Sequence, residues 1–167
     1  MPWEYLDNLN YRYQIAAESV DFTGKHVIDL CSGNTGLYHL VQQQVASYRA
    51  CDVRKLHPIV EEMTDAEFVP TVTQCDILCV FGYGGFEITP EPLESSTLLQ
   101  SAKTLMAKFD PVVILECVTK FEPALRPLMD GYEVSSFWTS GSDWLSDRVL
   151  FVLRRPQCLS NPNSRPN

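Results

Sequence analysis

The segment VIDLCSGNTG, residues 27–36, joins a short apolar run to a turn that contains two glycines. The apolar run begins at His26 and has the length of a buried strand, and a helical pattern starts at about Thr35. A strand, a glycine-containing turn and a helix in this order make up the first part of an α/β unit. The segment therefore predicts an α/β domain with a ligand-binding turn between Asp29 and Gly36.

Strand and helix patterns continue to alternate along the chain. Apolar runs predict further strands at residues 48–51, 66–69, 76–81, 112–117, 132–138 and 148–153. Helical periodicity predicts helices at residues 3–19, 58–63, 95–109 and 122–129. The last two strands have no helix between them and should pair antiparallel. The expected fold is a Rossmann-like α/β three-layer sandwich, with a mostly parallel seven-stranded sheet and a C-terminal antiparallel strand.

A chain of 167 residues fits a single domain. We expect residues 1–20 to form an N-terminal helix packed on the domain and residues 21–155 to form the domain itself. Residues 156–167 are mostly polar and contain three prolines, which is typical of a flexible tail.

The net charge of -8 argues against a surface that follows nucleic acid phosphates. No apolar run approaches the ~18 residues of a membrane span, and the N-terminus has no basic leader. The six cysteines lack a zinc-type spacing and are expected to be reduced thiols. We therefore expect a cytoplasmic protein without a metal, a membrane partner or a nucleic acid partner.

Acidic residues follow the predicted strands at the edge where ligands bind in α/β sheets. Asp29 ends the first strand, and its carboxylate can interact with the cationic end of a ligand. Asp52 ends the second strand, where a carboxylate can accept hydrogen bonds from both ribose hydroxyls. The first turn contains Gly33 and Gly36 but not the three glycines of a dinucleotide fingerprint, which argues against NAD.

The segment at residues 27–36 resembles the first motif of class I S-adenosylmethionine-dependent methyltransferases, in which an acidic residue ends the strand and a glycine-rich turn follows. Cys31 stands where that family most often has its first glycine. Residues 64–66 (TDA), which precede the predicted third strand, are similar to the family's acidic element that faces the adenine amino group. Residues 75–82 (CDILCVFG) are similar to its fourth strand.

The resemblance implies S-adenosyl-L-methionine as the cofactor and a methyltransferase as the activity. It assigns the cofactor contacts to residues in the first turn, after the second and third strands and at the end of the fourth. These residues are Asp29, Cys31, Ser32, Gly33, Gly36, Asp52, Val53, Asp65, Ala66, Phe81 and Gly82.

Methyl transfer from a sulfonium is an in-line displacement that depends mainly on positioning, and a general base is optional. Glu87 and Glu116 follow or end predicted strands and are the predicted catalytic residues. Tyr83 and Phe86, in the glycine-rich loop at residues 81–87, are predicted to contact the substrate. The expected acceptor is a small molecule or a peptide, methylated on oxygen or nitrogen.

Two other functions are compatible with the sequence to different degrees. A methyltransferase-like subunit could bind the cofactor without turnover and act in regulation or as a scaffold, because no acceptor-specific motif is present. A nicotinamide dehydrogenase is disfavoured by the first turn and by the short chain. The short chain also leaves little room for a lid over the substrate, so either the acceptor is large or a second subunit of a homodimer completes the pocket.

Overall fold

The computed structural model describes residues 10–83, 97–139 and 148–156. These residues contain seven strands: β1 His26–Leu30, β2 Ser47–Asp52, β3 Val60–Glu62, β4 Ile77–Tyr83, β5 Val112–Val118, β6 Glu133–Trp138 and β7 Arg148–Arg154. They also contain five α-helices: α1 Asn10–Ser19, α2 Gly36–Val41, α3 Asp65–Phe68, α4 Thr97–Phe109 and α5 Glu122–Met129.

The seven strands form one sheet in the order β3-β2-β1-β4-β5-β7-β6. The first five strands pair in parallel with their neighbours, whereas β7 runs antiparallel to both β5 and β6. This arrangement confirms the predicted Rossmann-like α/β sheet and its antiparallel C-terminal strand. The carboxyl ends of β1 to β5 therefore meet at one edge of the sheet.

Two hydrophobic clusters cover the two faces of the sheet, because successive side chains of a strand point to opposite faces. Val27, in one cluster, packs with side chains from α1 and α2, whereas Ile28, in the other, packs with side chains from α3, α4 and α5. Leu78 and Cys79 of β4 are divided between the clusters in the same way. The helices thus form two layers around the sheet, as the strand-and-helix alternation predicted.

The helix predicted at residues 58–63 is wrong, because this segment contains the edge strand β3. Pro58 favours an extended conformation at His57, and the β-branched Ile59 and Val60 suit a strand. Val60 pairs with Ala50 of β2 and is only 1% exposed. Burial against the sheet therefore determines the conformation of this segment.

The strand predicted at residues 66–69 is also wrong, because this segment contains helix α3. Thr64 caps the helix: its hydroxyl accepts a hydrogen bond from the Glu67 N–H at 3.3 Å, and the Glu67 carboxylate accepts one from the Thr64 N–H at 3.0 Å. This reciprocal capping box was visible in the sequence as Thr-x-x-Glu. As a consequence, Asp65 and Ala66 follow the third strand rather than precede it.

The other predicted boundaries agree with those of the structure or differ from them by a few residues. The predicted first strand and the helix at residues 122–129 have the same bounds as β1 and α5, whereas β4 continues to Tyr83, beyond its predicted end at Phe81. The N-terminal part of the predicted helix at residues 3–19 and most of the predicted tail lie outside the described residues. Among the helices that the structure describes, none has both the length and the apolarity needed to cross a membrane.

The capping box predicts that Thr64→Ala destabilises the protein by about 1 kcal/mol, because the Glu67 N–H loses its acceptor. Chemical denaturation measures the change. Thr104→Ala is the matched control, since Thr104 is an exposed residue within α4 whose hydroxyl donates to the carbonyl of Gln100. Equal free energies of unfolding for the wild type and Thr64→Ala would contradict the role given to the cap.

Candidate functional site

The turn between β1 and α2 has an unusual backbone conformation. Cys31, Gly33 and Thr35 have positive φ angles of 53°, 54° and 57°. This conformation is rare for a β-branched residue such as Thr35, which is also fully buried at 0% exposure. Contacts with the rest of the protein must therefore hold the turn in this shape.

Asp52, at the end of β2, holds the turn in place. Its Oδ2 accepts a hydrogen bond from the Gly33 N–H at 3.0 Å, and its Oδ1 accepts one from the Arg54 N–H at 3.0 Å. The neighbouring Ser32 N–H donates to the carbonyl oxygen of Cys51 at 3.0 Å. The ends of β1 and β2 are thus joined through the backbone of the glycine turn.

Asp29 is enclosed at the end of β1, with 1% of its surface exposed. The Tyr48 hydroxyl donates to its Oδ2 at 2.6 Å, while its Oδ1 has no hydrogen-bond partner among the described residues. Burial raises the pKa of Asp29 to about 7, against the lowering effects of the Tyr48 hydrogen bond and the Arg12 charge. The site therefore contains a buried carboxyl oxygen that a donor or a cation would satisfy.

The same turn contains a second buried polar atom without a protein partner. The hydroxyl of Ser32 is enclosed, with the residue 5% exposed, and makes no hydrogen bond within the described part of the chain. Cys31 is half-buried beside it, and burial raises the pKa of its thiol, so that the thiol stays neutral. The turn therefore offers polar groups of both Asp29 and Ser32 to a ligand.

Asp65 gives the third carboxylate at this edge because it follows β3 directly. It is 8% exposed, and its Oδ2 accepts a hydrogen bond from the Ser101 hydroxyl of α4 at 2.5 Å. Two exposed apolar residues come directly after these aspartates in the sequence: Ala66 follows Asp65, and Val53, 64% exposed, follows Asp52. Asp29 in β1, Asp52 at the end of β2 and Asp65 after β3 are thus associated with three adjacent strands, which are spaced by about 4.8 Å each.

Helix α1 lies against the glycine turn through Tyr13. A Cβ atom added to Gly36 would lie 2.2 Å from Cε2 of the Tyr13 ring, so only glycine allows this approach. The Tyr13 ring also makes an edge contact with Phe81 of β4, with 4.9 Å between the ring centroids. In this conformation, therefore, Tyr13 covers Gly36 and joins the turn to the end of β4.

Glu116 is fully buried at the end of β5 and is bound by groups from three elements. Its Oε2 accepts a hydrogen bond from Arg12 Nη1 at 2.6 Å, and its Oε1 accepts one from the Thr139 hydroxyl at 3.2 Å. Arg148 Nη1 lies 3.7 Å from the same Oε1. The predicted catalytic carboxylate is thus part of a buried ion-pair network.

Sequence reasoning did not identify Arg148 as a site residue. The available signal was an arginine at the start of β7, a strand that is otherwise almost entirely apolar. Of the predicted substrate and catalytic residues, Glu87 and Phe86 lie outside the described residues. Gly82 and Tyr83 belong to the last part of β4, so the chain leaves the strand later than expected.

No protein-family model matches the sequence, and no curated protein matches it. Among solved structures, an rRNA methylase from Streptococcus thermophilus is similar, with a TM-score of 0.60 at 11% identity over 86% of this chain and 94% of that one. Magnesium protoporphyrin IX methyltransferase from Synechocystis PCC 6803, solved with bound SAM, is similar with a TM-score of 0.60 at 14% identity. The match covers 90% of this chain and 79% of that one. TrmK from M. capricolum, in complex with S-adenosylhomocysteine, is similar with a TM-score of 0.62 at 14% identity. The match covers 87% of this chain and 68% of that one.

The buried carboxyl group of Asp29 predicts a pH-dependent contribution to stability. Its pKa is raised from 3.8 to about 7 in the folded protein, so the folded state keeps a proton that the unfolded state loses in this range. The contribution of Asp29 to the free energy of unfolding therefore falls as the pH rises from 3.8 to about 7, and it is lost above about pH 7.

Denaturation of the wild type and Asp29→Asn at about pH 5 and about pH 8 measures this effect. The variant should gain stability relative to the wild type on going to the higher pH. Asp130→Asn, which changes an exposed aspartate, provides the baseline. A difference between the wild type and Asp29→Asn that is the same at both pH values would refute the raised pKa.

The contact between Gly36 and Tyr13 predicts that Gly36→Ala destabilises the protein by about 1 to 3 kcal/mol, because the new methyl group overlaps the ring. In a Tyr13→Ala background the same change should be neutral or stabilising, since Gly36 begins helix α2 and alanine favours helices. A double-mutant cycle measures this coupling. Additive effects would show that Tyr13 does not occupy the space above Gly36.

Proposed function

We propose that this chain, which has the fold of the class I S-adenosylmethionine-dependent methyltransferases, binds S-adenosylmethionine and transfers its methyl group to a small-molecule or peptide acceptor. The observation that carries the proposal is the enclosed, half-partnered carboxyl group of Asp29 at the carboxyl end of β1. Two of the similar structures contain SAM or S-adenosylhomocysteine, which supports the choice of cofactor.

The residues at this edge fit the chemical groups of the cofactor. Asp29 would hold its cationic amino group, because the unpartnered oxygen Oδ1 needs a donor. Asp52 would accept from the ribose hydroxyls, since each carboxylate oxygen that already accepts one backbone N–H keeps a second lone pair. Asp65 would face the adenine amino group, with Ala66 and the exposed Val53 beside the ring. Ser32 and Cys31 would line the turn.

When bound, the cofactor supplies a methyl group on a sulfonium, which is already activated for displacement. The protein's own residues therefore need to orient the two reactants and exclude water, and positioning of this kind contributes about 7 to 11 kcal/mol in model reactions. The turn fixed by Asp52 provides a rigid binding surface. Tyr13 and Phe81 are both buried and form an apolar wall between the turn and β4.

The network around Glu116 favours methyl transfer by positioning over transfer that depends on this residue as a base. Arg12 and Thr139 donate to different oxygens of the carboxylate, and the side chain has no exposed surface. Glu116 therefore holds α1 against the sheet in this conformation. Glu87 and the contacts predicted for Phe86 and Tyr83 stay predictions.

The choice of acceptor class in this proposal is based on charge. The net charge of -8 favours a small molecule or a peptide over a phosphate backbone, although one of the similar proteins is an rRNA methylase.

The alternative function is that of a regulatory or scaffold subunit that binds the cofactor without turnover. This alternative is favoured by the sequence, which contains no acceptor-specific motif.

Isothermal titration with S-adenosylhomocysteine tests the cofactor proposal. We expect binding at about micromolar Kd or tighter, weakened at least about tenfold by Asp52→Asn, a loss of about 1.4 kcal/mol. The exposed Asp130→Asn should bind like the wild type. No measurable binding of S-adenosylhomocysteine or S-adenosylmethionine, or preferential binding of NAD, would contradict the proposal.

Methyl transfer from S-adenosylmethionine to a broad panel of small-molecule and peptide acceptors then distinguishes the two functions. Turnover with any member supports the enzyme, and the methylated atom is identified by mass spectrometry. Tight binding of the cofactor without turnover across the panel supports the regulatory or scaffold subunit.

A further inference from the structure

Four buried side chains form a charged cluster at the carboxyl edge of the sheet. Arg12 belongs to α1, Glu116 to β5, Thr139 follows β6 and Arg148 begins β7, and each is at most 6% exposed. Because β7 runs antiparallel to β5, its first residue lies beside the last residues of β5, where Arg148 pairs with Val118. Two guanidinium groups and one carboxylate give the cluster a net positive charge.

Three donor atoms of this cluster have no hydrogen-bond partner within the described part of the chain: Nε of Arg12 and both Nε and Nη1 of Arg148. The distance of 3.7 Å from Arg148 Nη1 to Glu116 Oε1 is too long for a hydrogen bond. Burial lowers the pKa of Arg148, whereas the charge of Glu116 raises it. A buried guanidinium with unused donors is costly unless an anion completes its surroundings.

We propose that Arg148, with Arg12, forms a binding site for a carboxylate group of the methyl acceptor. The inference rests on the proposed function and adds the substrate class: the acceptor is an organic acid. A carboxylate has only acceptor oxygens, which suit unused N–H donors, and its negative charge neutralises the excess charge of the cluster.

Glu116 and Arg148 belong to strands that are not neighbours of β1, which contains Asp29. β5 and β7 are the second and third strands from β1 in the sheet, about 10 and 14 Å away at the usual strand spacing. The ammonium and carboxylate groups of an amino acid are attached to the same carbon. A cofactor whose ammonium binds Asp29 therefore holds its own carboxylate close to β1, which favours the acceptor as the source of the carboxylate at Arg148.

The surroundings of the cluster suit an acid with an apolar body. The Arg12 guanidinium lies over the rings of Tyr13 and Phe81, at 4.6 and 5.6 Å from their centroids. Arg12 is in the first turn of α1, and helix ends fray readily, so a movement of this turn would admit a ligand to the buried Arg148.

Stability in the absence of any ligand tests whether Arg148 serves the fold or a ligand. We expect Arg148→Met to keep or raise the melting temperature, because it removes a buried charge while Glu116 keeps its hydrogen bond to Arg12. Arg126→Met is the control, since Arg126 is exposed and forms an ion pair on α5. A melting temperature several degrees below that of both the wild type and the control would overturn the inference.

Binding of simple acids tests the site directly. With S-adenosylhomocysteine present in excess, ligand-observed NMR should detect benzoate binding to the wild type and to Arg126→Met, but not benzamide binding. Arg148→Met should weaken benzoate binding at least about tenfold, and Arg148→Lys, which keeps the charge but not the paired donors, should bind with intermediate affinity. Equal benzoate binding by the wild type and Arg148→Met, or preference for phenyl phosphate, would contradict the carboxylate site.

The affinities for S-adenosylhomocysteine and 5′-methylthioadenosine, which lacks the amino-acid end, identify the source of the carboxylate. We expect Arg148→Met to bind both like the wild type. Selective weakening of S-adenosylhomocysteine would assign the site to the cofactor and overturn the inference. Failure of the wild type to bind S-adenosylhomocysteine would instead contradict the proposed function, and is thus distinguishable from failure of the carboxylate site.

Discussion

Asp29 lies inside the protein near the carboxyl end of β1, where Tyr48 satisfies one carboxyl oxygen and the other has no partner among the described residues. Burial makes the ionised form unfavourable, as the raised pKa shows. A protein selected only for stability has no use for such a group, because an apolar residue would avoid the desolvation cost. The surrounding turn, fixed by Asp52, is arranged around this carboxyl group and gives it a place to meet a cation.

Helix α1 connects the proposed cofactor site to the proposed acceptor site. Tyr13 contacts the glycine turn, and the adjacent Arg12 binds Glu116 on β5. Any movement of α1 would therefore change the cover over the turn and the surroundings of Arg148 together. The same helix is thus placed to respond to both reactants, since their proposed sites contain neighbouring side chains.

The local sequence was sufficient for elements with a strong pattern, such as β1 and α5, and for the edge at which Asp29 and Asp52 meet. It misassigned residues 58–63 and 66–69, where short segments depend on pairing with β2 and on the Thr64 cap. The ion pair between Arg12 and Glu116 joins residues 104 positions apart, so no local pattern could reveal it. Unpartnered atoms likewise become visible only when the whole fold surrounds them.

Titration of the Asp29 carboxyl carbon by 13C NMR, with and without S-adenosylhomocysteine, tests the central claim most directly. The free protein should show a pKa of about 7 for this group. Binding of the ligand's ammonium group should lower that pKa by more than about one unit, because an adjacent opposite charge favours the carboxylate. A pKa near the ordinary value in the free protein, or one that the bound ligand leaves unchanged, would contradict the assignment of Asp29 to the cofactor.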